Sequence, residues 1–202
     1  MLGLLLILAL NLVVSFFNAR ACGQMWAERE QSGPFLFLVI WSAAIQSAIG
    51  FSSILIFAGA YAAHGMGILP DKAMKATLSL WYLAIIFPTL GTGFLITIHS
   101  WIVAYRERNL LDMASAAYNT VAMAHNLYQA SSGIGDAFGS VFTFFSSVTD
   151  DDEDGAGILV VITVLAIVVF ALGGGALLTR AIIRHYAGSL PMPERAAQLS
   201  RA

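Results

Sequence analysis

Charge is scarce in this chain. Asp, Glu, Lys and Arg together make up 11% of its 202 residues, while 58% are hydrophobic; globular chains average about 25% charged residues. Ten basic and twelve acidic side chains leave a net charge of -2. No basic surface is therefore available to neutralise a nucleic-acid backbone, and nucleic acid is not expected as a partner. A single cysteine, Cys22, excludes an internal disulfide and any Cys-cluster metal site. Cys22 reads as a small residue beside the membrane. Lipid attachment there is disfavoured because Arg20 sits where such sites carry a small or apolar residue. No phosphate-binding glycine loop, HExxH, GxSxG or CxxC motif occurs, so no catalytic constellation is evident.

What is present is a set of long uncharged runs. Asp, Glu, Lys and Arg are missing from 1–19, 31–70, 76–105 and 155–179. A hydrocarbon core of about 30 Å takes roughly 20 residues of helix, and lipid tolerates only helices or closed barrels. The expected fold is all-α: a polytopic membrane helical bundle with spans over about 2–18, 35–63, 78–105 and 158–180. The first run lacks a basic n-region and reads as an uncleaved helix rather than a signal peptide.

A fifth span comes from the arginines. Arg20 and Arg29, then Arg106 and Arg108, then Arg180, Arg184, Arg195 and Arg201 share one side of a membrane only if 110–130 also crosses. The positive-inside rule then puts the N-terminus outside and the C-terminus in the cytoplasm, with Lys72 and Lys75 outside. A bacterial inner membrane is the expected location. Ser131 to Gly135 reads as a helix breaker opening an outer loop over 131–157 with the acidic run Asp150–Asp154, and 181–202 reads as a cytoplasmic tail. The alternative has four spans, with 110–149 a cytoplasmic amphipathic hairpin. Tyr61, Trp81 and Tyr82 near the outer boundary, and Phe16, Phe17, Trp101, Tyr105 and Tyr186 near the inner one, read as interfacial anchors.

Few polar groups are candidates for chemistry. The 110–130 segment carries Ser115, Asn119, Thr120, His125, Asn126 and Gln129, a composition that must face protein or water. Pro88, followed by Thr89, Gly91, Thr92 and Gly93, is expected to kink its helix and free backbone carbonyls. Pro88, Asn119, His125, Asn126 and Asp136 are the candidate pathway residues, although Asp136 reads first as a solvated or helix-capping residue of the outer loop. The depths of the four histidines do not match well; only His64 and His125 could share a level, and neither has a carboxylate within a few residues, so they read as hydrogen-bonded or interfacial, and no cofactor is expected. The acidic run starts like an EF-hand loop but has Val161 where the bidentate Glu belongs. Small residues four apart, Ala43 with Ser47, Gly59 with Ala63 and Ala171 with Gly175, permit close helix contact, within the chain or between copies.

The function expected on these grounds is that of a structural or assembly subunit in an oligomeric membrane complex, such as a secretion, conjugation or phage-related apparatus. It would be a homo-oligomer or a partner of other membrane subunits, and not an enzyme. The alternative is a small ion channel or transporter whose polar fourth helix lines the pathway. A membrane redox-enzyme subunit would rest on the histidines alone.

Overall fold

In a computed structural model that describes residues 2–27, 33–150 and 156–189, the chain forms five helices. They are α1 (Leu2–Ala27), α2 (Pro34–Gly65), α3 (Asp71–Glu107), α4 (Leu110–Asp150) and α5 (Ala156–Ser189). Among the described residues, three stretches are long and apolar enough to cross a membrane: Pro34–Gly65, Asp71–Glu107 and Gly157–Ala187. α1 to α4 pack in chain order, each against the next, with α3 and α4 making the most extensive contact. α5 lies against α2 and α1 and less against α3, while α4 barely touches it.

Local chemistry explains the ends. Pro34 occupies the first turn of α2 behind an extended Gly33, where its missing N–H costs nothing. After α2, Gly67 takes φ +73, and His64 Nδ1 bonds the Leu69 carbonyl at 2.8 Å while its Nε2 lies 3.5 Å from Asp71. The α3–α4 turn is tighter. Arg108 adopts φ 52, and Asn109 accepts the Asp112 N–H at 2.8 Å on its side-chain oxygen, an N-cap for α4. Asn109→Ala is expected to lower stability by about 1 kcal/mol, seen as an earlier thermal transition in detergent; an unchanged transition would show that the cap contributes nothing.

The interior is built on close backbone approach. Gly175 meets α2 so tightly that a Cβ there would lie 2.1 Å from Ser52 Oγ and 2.7 Å from the Ala48 carbonyl oxygen. Ser47 and Thr179 share a buried hydrogen bond of 3.0 Å at the same contact. A Cβ at Gly50 would fall 1.8 Å from Ser15 Oγ on α1. Ala43 packs with Cys22 and Ile40, Ala63 lies in a cluster with Ala73, Ala76 and Val164, Ala171 packs with Ile56 and Trp81, and Gly59 faces Ile167. The small-residue positions are thus occupied by contacts inside the chain.

Several expectations change. Residues 131 to 150 are not a loop: α4 continues through the Ser131–Gly135 segment to Asp150. Two features hold it. Ser131 and Ser132 return their hydroxyls to the Tyr128 carbonyl, and Tyr82 lies over Gly133 while donating to the Gln129 carbonyl at 2.7 Å. A glycine inside a helix costs only about 1 kcal/mol, which such contact offsets. Asp136 is accordingly an exposed helix residue, and 110–149 is not a hairpin. The tail begins later than expected, since α5 runs to Ser189. Residues 151–155, with most of the acidic run, and 190–202 lie outside the described residues. Trp81 is no interfacial anchor: it is 3% exposed, between α2, α3 and α5.

Pro88 does not break α3, which is helical on both sides of it. Proline removes the N–H that would bond the Ala84 carbonyl. Thr92 Oγ1 donates to the Pro88 carbonyl at 2.6 Å, and Gln46 Nε2, reaching from α2, donates to the Thr89 carbonyl at 2.9 Å and to Thr92 Oγ1 at 2.8 Å. The proline turn is therefore one of the points where α2 and α3 are joined by hydrogen bonds.

Candidate functional site: a polar groove between α1 and α4

α1 and α4 make no substantial contact with each other, yet both line one cavity of about 950 Å³ whose floor is α2 and α3. Its size is that of sites which hold small molecules or a segment of chain. The reason for the gap lies in the packing order. α2 and α3 approach closely through Gln46 and Thr92, so the two outer helices of the row flank a concave face.

The polar groups fall on it by helical spacing. Asn11 and Asn18 are seven residues apart on α1, as are Asn119 and Asn126 on α4, and all four line the groove. Among the described residues, none of these four carboxamide side chains has a hydrogen-bond partner. The Asn11 and Asn119 main-chain carbonyls accept bonds from Ser15 Oγ and Thr97 Oγ1, which leaves the side chains free to face the groove. Gln24, Ser115 and His125 also line it.

Thr89 Oγ1 on the floor is the one buried side-chain polar atom without a partner among the described residues. Such a group costs roughly 1 to 3 kcal/mol unless something supplies the bond. Charge on the walls is one-sided. Arg20, whose guanidinium lies 5.4 Å from the Tyr186 ring centroid, stands at one end, and no Asp or Glu among the described residues lines the groove.

Of the sequence candidates, Asn119, His125 and Asn126 are brought together here, and Pro88 contributes through its neighbour Thr89. Asp136 lies outside the groove lining. The other histidines are separate: His64 serves the α2–α3 turn, His99 lies near the Phe35 ring and His185 against Tyr186. No cluster of three His, Cys, Asp or Glu side chains occurs among the described residues. Sequence reasoning missed Asn11, Asn18 and Gln24. Two asparagines seven apart within an otherwise apolar run were the available signal. No protein-family model, curated protein or solved structure matches the chain, so the site is read from its own geometry.

Proposed function

We propose that this chain is a membrane subunit which crosses the bilayer five times and works inside an oligomeric or multi-subunit assembly, not as an enzyme. The observation that carries this reading is the unfinished groove. Four carboxamides and a buried hydroxyl without partners, on a wall between apolar helices, are unfavourable against lipid and are satisfied by a further helix, water or ligand. Five crossings are supported by α4, which lies antiparallel to α3 with Gln129 at the level of Tyr82 and Thr120 at that of Trp101. With neighbours antiparallel, Arg20, Arg106, Arg108, Arg180 and Arg184 fall at one end and Lys72 and Lys75 at the other. That supports a cytoplasmic C-terminus in a bacterial inner membrane.

The mass of the complex extracted in native lipid, with co-purifying chains identified, tests the reading. An oligomer or multi-chain complex is expected. A lone monomer would sink it.

A second reading treats the groove as half of a solute pathway, and the Thr89 hydroxyl, without a partner among the described residues and sharing the groove lining with His125 and Asn126, favours that use. The solute would be neutral or anionic, since among the described residues no carboxylate lines the walls while Arg20 does. His125→Ala or Asn126→Ala would then alter flux through reconstituted protein. Unchanged flux in both removes this second reading.

A further inference from the structure

Both walls of the groove share one spacing. On α1, Leu10, Val14, Phe17, Ala21 and Gln24 line it in steps of four and three residues, and on α4 Ser115, Tyr118, Ala122 and His125 do the same. The α4 register continues through Gln129 and Ser132, both exposed. Steps averaging 3.5 residues keep one face of a helix against a partner wound around it. α4 is not using that face. It packs on α3 through buried Ala116 and Ala130, with Met123 against Gly93 at the edge of the groove, and Tyr118 remains 50% exposed. The groove has the walls of a helix slot and no helix in it.

We infer that the missing helix is α4 of a second copy, parallel to the first α4 about a twofold axis along the membrane normal and seated between α1 and α4. The inference rests on the membrane-assembly reading above. Identical insertion makes the two α4 helices parallel, and a twofold axis sets each stripe residue against its own counterpart. The stripe suits self-pairing. Ser115, His125, Gln129 and Ser132 can each donate and accept a hydrogen bond, and Ser115 and Ala122, seven apart, let the backbones approach.

No Asp, Glu, Lys or Arg occurs from 113 to 135, so identical copies meet there without like-charge repulsion. Asp136, the next position in the register, marks the outer end of the seam. The alternative contact faces are already used, since Ala43, Ser47, Ala171 and Gly175 pack within the chain.

Oxidative cross-linking of the full chain in its membrane tests this. Cys22 is 1% exposed, so the parent chain gives a silent background. Ser115→Cys and Ala122→Cys are expected to form disulfide-linked dimers at least about ten-fold faster than Ala124→Cys and Leu127→Cys, exposed positions on the opposite face of α4, because only held pairs reach a high effective concentration. Equal cross-linking at all four positions, or none at 115 and 122, overturns the inference.

A parallel mass measurement separates the two levels of argument. A complex with other chains but no cross-link at 115 or 122 overturns the second-copy inference and leaves the assembly reading standing. A monomer in which Ala122→Cys reacts with a membrane-impermeant thiol reagent overturns both.

Discussion

Gly175→Val is expected to separate α5 from α2 and to cost at least about 3 kcal/mol of stability in detergent, at the upper end of overpacking effects. The obstacle is backbone. A Cβ at 175 would lie 2.7 Å from both the Ala48 carbonyl oxygen and the Ser52 nitrogen, and 2.1 Å from Ser52 Oγ, and neither main-chain atom can turn aside as a flexible side chain would. Relief requires the helices to part, which also breaks the buried Ser47–Thr179 hydrogen bond.

Gly173 provides the control, because a Cβ there meets nothing within 4 Å. Gly173→Val should change stability by no more than about 0.5 kcal/mol. Thermal unfolding of both variants distinguishes a tight α2–α5 contact from a loose one, and equal transitions would mean the contact is looser than described.

Trp81→Ala is expected to lower stability by about 3 to 5 kcal/mol, the range for removing a large buried aromatic. Trp81 fills the junction of three helices with Ile56 and Ala171 around it, and its indole N–H donates to Ser53 Oγ at 3.0 Å. Packing rather than the hydrogen bond should dominate. Interhelical bonds inside membrane bundles average about 0.6 kcal/mol and reach about 1.7, so Ser53→Ala should lose far less than Trp81→Ala. Comparable losses in the two variants would reverse that assignment.

The long helices were legible because their signals are local. Uncharged runs act within a few residues, and they placed α2 to within two residues at each end, whereas α3 begins seven residues before the expected span and α5 ends nine residues after it. The Ser131–Gly135 segment misled for the converse reason. Its serines and glycines favour a break in an isolated chain, but Tyr82 on α3 packs over Gly133 and the helix persists. Trp81 misled in the same way, since position along a span does not reveal which face of the helix meets α2 and α5.

For the groove, sequence supplied the α4 wall and half the chemistry, through Asn119, His125 and Asn126. Asn11 and Asn18 gained meaning only when α1 stood opposite α4. The chain order of packing decides that juxtaposition.

The sequence by itself determined that this is an all-helical chain with stretches apolar enough for a membrane, and which of its helices is most polar. Hydrophobicity and helix propensity are properties of neighbouring residues, so they can be read along one strand of text. Only the tertiary structure decided that the small residues of α2 and α5 pack against one another, that Pro88 joins α3 to α2 through Gln46, and that α1 and α4 stand apart across a polar groove. Those outcomes depend on which helix faces meet, and the meeting is set by contacts between residues far apart in the chain.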